Sequence, residues 1–151
     1  MRLSTVLTTA LIGFSTLTAW ADGKGITPLL PKMETECSSC HIVYRPNFLP
    51  KSSWQQVMAS LDKHYGTDAS LPAADTKEIA DWLNTVALDV GEAPPNNRIT
   101  QAFWFTRKHG TNHVKANVWQ RASVKSRSNC QACHVNADKG DFNEHNIRIP
   151  R

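Results

Sequence analysis

The pentapeptide Cys-X-X-Cys-His occurs twice in this chain, as Cys37-Ser38-Ser39-Cys40-His41 and as Cys130-Gln131-Ala132-Cys133-His134, and the two copies use all 4 cysteines. The pattern is the attachment signature of a c-type haem. Two cysteine sulfurs at that spacing reach the two vinyl groups on one porphyrin, and the histidine that follows is placed to ligate the iron. Other uses of paired cysteines fit less well. A thioredoxin-like redox pair is a single Cys-X-X-Cys inside a βαβ pattern, which this sequence lacks. A zinc site built from both pairs separates them by about 15 to 20 residues, whereas 89 residues lie between Cys40 and Cys130. Disulfides across such short loops would constrain little of the unfolded chain. The sequence therefore predicts two covalently attached haem c groups, held by Cys37, Cys40, Cys130 and Cys133, with His41 and His134 on the two irons.

Residues 1–21 read as a secretory signal: Arg2 near the start, an uncharged stretch from Leu3 through Thr18, and Ala19-Trp20-Ala21 as a cleavage site. The stretch is short, diluted by Ser and Thr, and followed by no further hydrophobic run, so a cleaved signal fits better than a membrane anchor. The expectation is a chain processed near Ala21, without a transmembrane segment, and exported to the periplasm, where covalent haem attachment takes place in bacteria. About 130 residues then remain, one domain or two very small ones. A chain of that size struggles to bury enough apolar area. Two porphyrins change this, because each offers a large flat apolar surface for helices to pack around.

Charge is divided unevenly. Residues 22–97 hold 6 Lys and Arg against 10 Asp and Glu, while residues 98–151 hold 10 against 3. Such a polar molecule presents distinct docking faces. Nucleic acid is excluded as a partner of the basic half by the export signal. The predicted partners are redox proteins.

The breaker cluster Gly91-Glu92-Ala93-Pro94-Pro95-Asn96-Asn97 divides the two motifs. The expected organisation is a first haem lobe over residues 22–93, a linker at 94–97, and a second haem lobe over 98–151. In the first lobe, Trp54, Val57, Met58, Leu61, His64 and Tyr65 recur at helical spacing, with Ser52 or Ser53 to cap the start and Gly66 to end the helix. A second helix is predicted from about Asp75 to Leu88, with Asp75 as N-cap, Glu78 in capping-box register, and Ile79, Trp82, Leu83 and Val86 inward. In the second lobe a short helix is predicted through Ala102 to His109, stopped by Gly110, and the tail from Phe142 to Arg151 is predicted to be extended. The fold class expected is mainly α. Its N-terminal lobe should resemble a monohaem cytochrome c, and its C-terminal lobe should be less regular.

Function turns on the sixth iron ligand, because a haem with one protein ligand binds gases or does catalysis and a haem with two is an electron carrier. The loop Thr67 to Ala74, where a monohaem cytochrome commonly carries a Met ligand, holds none, and Met33 and Met58 read as core packing. His64, 23 residues after His41, is the candidate for the first iron. For the second, His109 lies 25 residues before His134, with Phe105 and Ala102 on its helical face. His113 is its rival. His145, between Glu144 and Asn146, reads as solvated.

With the two motifs, the stretch from Met58 to Ser70, the segment Trp104-Phe105-Thr106-Arg107-Lys108-His109 and the closing Ile147-Arg148-Ile149-Pro150-Arg151, the chain resembles the small periplasmic dihaem cytochromes c. The resemblance covers most of the chain beyond the signal. It implies two bis-histidine haems with His64 and His109 as distal ligands, favours His109 over His113, and implies as partners a membrane-bound cytochrome b or a small ligand-binding monohaem cytochrome c.

The function expected is electron transfer between redox partners through two low-spin haems, not enzymatic catalysis. One alternative keeps the haems and changes the partner: a dihaem subunit of a periplasmic reductase of the nitrate-reductase type. The alternative from another class is a haem enzyme or gas-binding protein with one open iron, for which the chain is short and its supply of histidines too generous.

Overall fold

The computed structural model describes residues 27–151. The predicted signal at residues 1–21 lies outside them. Among the described residues the structure is helical, with four α-helices, several 3₁₀ turns and only isolated β-bridges, in agreement with the mainly α expectation. Helix α1 (Pro31–Cys37) starts on a proline at its first position, where no amide hydrogen is needed. Helix α2 spans Lys51–Met58 and helix α3 spans Ala73–Val86. Helix α4 (Phe103–Lys108) is a short helix in the C-terminal half, with Ala102 and His109 as its caps.

The main core lies among the first three helices. Ile79 and Leu83, one turn apart on α3 and each 1% exposed, pack with Met33 of α1, Trp54 of α2, Val43, Leu49 and Ala87. Trp54 stays satisfied in this apolar setting because its indole N–H donates to the Pro46 carbonyl at 2.7 Å. Lys32 Nζ, 3.0 Å from Asp75 Oδ1, ties α1 to α3. The C-terminal half buries fewer apolar side chains, namely Ala102, Phe105, Val118, Val124 and Ala137.

Three local expectations are corrected. The helix predicted to run to Gly66 ends at Met58. The Ser60 hydroxyl donates to the Gln56 carbonyl at 2.8 Å, competing for the acceptor a continuing helix would use, while the Ser60 amide turns to Val57. A 3₁₀ turn at Leu61–Lys63 follows, and His64 leaves helical geometry altogether at φ −67°, ψ 86°. Nor do Ser52 and Ser53 cap α2, whose N-cap is Pro50, and Ser53 is instead fully buried. Finally, Asp75 is not the N-cap of α3. The fixed φ of Pro72 starts that helix earlier, leaving Asp75 in the first turn, where its charge suits the positive end of the helix dipole.

The segment at 94–97 forms a tight 3₁₀ turn with Asn96 and Asn97 at positive φ. It is bound to the first half: the Asn97 side-chain amide donates to Gln56 Oε1 at 3.0 Å, and the Asn97 carbonyl accepts from the Tyr65 hydroxyl at 2.9 Å. Further contacts join the halves. Trp104 Nε1 donates to the Phe48 carbonyl at 3.1 Å, and the Phe48 ring packs on Trp104 and on Phe142 with centroids 5.3 and 5.0 Å apart. Gly140, at φ +79°, lies against the Arg45 guanidinium, where any side chain would collide with it.

Candidate haem sites

The first Cys-X-X-Cys-His segment begins in the last turn of α1, with Cys37 closing the helix and Cys40 exposed. The second forms a 3₁₀ turn at Cys130–Ala132, and the His134 amide donates back to the Cys130 carbonyl at 2.8 Å. Both motifs therefore lie in helical or turn backbone. None of the four cysteines is in a disulfide. Burial pushes the Cys130 thiol up to about 11, and raises Cys37 and Cys133 as well. These thiols are not primed as free nucleophiles.

Each motif histidine has a second imidazole beside it. The His41 and His64 ring centroids are 6.2 Å apart with planes 20° apart, and those of His109 and His134 are 6.1 Å apart with planes 62° apart. A metal–imidazole bond is about 2.0 Å long and the ring centre lies about 1 Å beyond the nitrogen, so two imidazoles on opposite sides of one metal have centroids about 6 Å apart. Both pairs have that spacing. Among the described residues no three His, Cys, Asp or Glu side chains converge as a cage for a bare metal ion. Two lone imidazoles suit a metal whose other four positions are filled by a macrocycle.

Neighbouring groups orient these rings. His41 Nδ1 lies 2.6 Å from the Ile42 carbonyl and His109 Nδ1 lies 3.1 Å from the Phe105 carbonyl; a carbonyl accepts, so each Nδ1 donates and each Nε2 keeps its lone pair for a metal. His134 Nδ1 is buried without a hydrogen-bond partner among the described residues. Burial, the leading cause in each case, lowers the pKa of His64, His109 and His134 from the ordinary histidine value, so these rings favour the neutral form that ligates. A cavity of about 290 Å³ opens beside His109, lined by Val114, Ala116, Trp119 and Arg127 among others.

The structure brings together four of the histidines singled out in the sequence and leaves two apart. His113 and His145 are exposed, and neither ring packs on another histidine. Sequence reasoning missed several residues around the pairs. Tyr44 stacks on His41 at 4.8 Å, and burial pushes its phenol up to about 12, so it stays protonated. Phe142 packs on His134 at 5.4 Å, and Trp119 lies 6.1 Å from His109. Only the position of Tyr44 three residues after a motif histidine could have drawn attention to it.

Such an arrangement defines a c-type haem protein with two sites, and comparison with known proteins agrees. The chain belongs to the dihaem cytochrome c family, whose model matches residues 33–142. It is similar to the crystal structure of DHC purified from Rhodobacter sphaeroides, with 40% identity over 76% of this chain and 98% of that one, and a TM-score of 0.68. The dihaem cytochrome c of Shewanella baltica OS155 is 34% identical over 80% of this chain and 92% of its own, with a TM-score of 0.70. A further dihaem cytochrome c structure from Rhodobacter sphaeroides is 35% identical over 78% of this chain and 100% of its own, with a TM-score of 0.69. Comparison with curated proteins finds no match. The family carries two haem c cofactors and transfers electrons by means of them. Among the described residues no helix is long and apolar enough to cross a membrane.

Proposed function

We propose that this protein is a periplasmic electron carrier in which both haems are bis-histidine and low-spin. Cys37 and Cys40 would bond the first haem, and His41 and His64 would hold its iron. Cys130 and Cys133 would bond the second, with His134 and His109. The observation that carries this reading is the spacing of the two imidazole pairs, 6.2 and 6.1 Å, which supports a shared metal between each pair.

Bound haem iron supplies the one-electron redox chemistry. The chain's part is to hold each pair of rings so that the iron changes oxidation state with little rearrangement. Hydrogen bonds from His41 and His109 to backbone carbonyls fix ring orientation and raise ligand basicity. Two nitrogen ligands, in place of a nitrogen and a thioether, favour the ferric state and a comparatively low potential.

The partner predicted by the charge distribution is an acidic redox protein that meets the C-terminal half. There α4 carries His109 at its end, and its exposed face presents Phe103, 79% exposed, beneath the Arg107 guanidinium. A membrane cytochrome b or a small monohaem cytochrome c with an acidic face around its haem edge fits this surface. The test is carbon monoxide binding to the reduced protein. Neither haem should bind it readily, and rapid binding to one would assign that iron to ligand chemistry.

A further inference from the structure

Tyr44 makes contact with both halves of the molecule. Its ring stacks on the His41 imidazole with centroids 4.8 Å and planes 20° apart. Its hydroxyl donates to the Ser128 carbonyl at 3.1 Å, across 84 residues of sequence. Ser128 stands two residues before Cys130, whose sulfur lies 3.6 Å from the same carbonyl oxygen. A continuous series of contacts thus runs from a histidine of the first pair, through an aromatic ring and a hydrogen bond, to a cysteine sulfur of the second motif. Other aromatic residues also cross between the halves: among the described contacts, Phe48 reaches the second site by way of Phe142 without stacking on His41 or His64, and Tyr65 packs on His64 and meets Arg98 but touches neither residue of the second pair.

We propose that Tyr44 is the positioning residue that fixes one haem site against the other, and that its ring and hydroxyl form the path along which an electron crosses between them. The proposal rests on the two-haem, bis-histidine reading above. Electronic coupling falls off more slowly through bonded and hydrogen-bonded atoms than across a gap, so a residue touching both sites governs the rate more than one touching either. In the step itself one electron leaves the ferrous iron of one site and reduces the ferric iron of the other. Tyr44 is neither oxidised nor deprotonated, and no bond is made or broken.

Two variants of the holoprotein separate the ring from the hydroxyl. Tyr44→Phe keeps the stack on His41 and removes the hydrogen bond to Ser128, and Tyr44→Leu removes both. Oxidised protein is reduced rapidly with less than one electron equivalent per chain. Redistribution between the haems is then followed by freeze-quench electron paramagnetic resonance, which tells the two irons apart through their different ligand-plane angles.

The exchange rate should fall several-fold in Tyr44→Phe and further in Tyr44→Leu, while Tyr44→Phe keeps both low-spin signals and both midpoint potentials. Equal rates in all three proteins overturn the proposal. A slower rate with shifted potentials in Tyr44→Phe also overturns it, because the changed driving force then accounts for the change. Failure of the underlying reading looks different: a high-spin haem is already present in the unaltered protein.

Discussion

The rings of Phe105 and His109 lie face to face, with centroids 4.0 Å apart and planes 11° apart. Phe105 lies on α4 and His109 caps it four residues on, and the Phe105 carbonyl accepts from both the His109 amide at 2.8 Å and His109 Nδ1 at 3.1 Å. One residue thereby sets the plane of the histidine ring and its tautomer, leaving Nε2 with the lone pair a metal would take.

Phe105 is 3% exposed. Phe105→Ala should therefore cost about 3 kcal/mol through the cavity it leaves. Phe105→Leu keeps most of the volume and should cost about 1 kcal/mol. Both should loosen the hold on His109 and admit carbon monoxide to the second haem but not the first. Denaturant unfolding and carbon monoxide difference spectra measure the two effects.

The pairing of rings predicts which histidines matter. His64→Ala and His109→Ala should each convert one haem to a high-spin form that binds carbon monoxide. His113→Ala and His145→Ala should change neither spectrum, since both side chains are exposed and lie outside the pairs. Opening of the second haem by His113→Ala would reverse the assignment there.

Cofactor and motif residues were legible in the sequence because thioether attachment demands a fixed local spacing. The position of His109 at the end of a short helix was legible because α4 forms where the pattern of Ala102, Phe105 and Gly110 predicts it. His64 was identified through a helical face that does not exist: α2 stops at Met58, and the ring arrives beside His41 through a 3₁₀ turn and a non-helical residue. The predicted capping roles failed where proline geometry set the helix starts, at Pro50 and Pro72. Contacts between the halves were not legible at all. Tyr44 to Ser128 and Trp104 to Phe48 join positions 84 and 56 residues apart, and no local periodicity encodes such pairings.

Acid should act on the paired imidazoles. Burial holds His64, His109 and His134 below the ordinary value of 6.5. For a base with a depressed folded pKa, the unfolded chain binds more protons, so stability is complete above about 6.5 and is lost as pH falls toward the folded value. Iron ligation acts in the same direction, because the nitrogen that binds the metal has no lone pair for a proton. A spectroscopic titration should show the low-spin spectrum constant on the alkaline side and giving way to a high-spin form as acid is added. Loss of the low-spin form on raising the pH through neutrality would contradict this.

Salt should slow electron transfer to an acidic partner, since exposed charges are screened beyond about 8 Å at physiological ionic strength. Lys108 is partly compensated by Glu144, 3.5 Å away, whereas Arg107 is exposed over Phe103. Arg107→Glu should flatten the salt dependence and leave both haem spectra unchanged. Stopped-flow rates over a range of ionic strength test this, and a rate in the unaltered protein that is indifferent to salt would remove charge from the account of docking.

Two imidazoles on each iron leave a distinct signature in the electron paramagnetic resonance of the fully oxidised protein. Imidazole π orbitals push on the iron d orbitals along the ring planes. Aligned rings split those orbitals and give a rhombic low-spin signal, while crossed rings leave them nearly degenerate and give a more anisotropic one. With planes 20° apart at His41 and His64 and 62° apart at His109 and His134, the spectrum should show two low-spin signals of equal weight and different anisotropy, with no high-spin component. A high-spin ferric signal amounting to one haem per chain would contradict it.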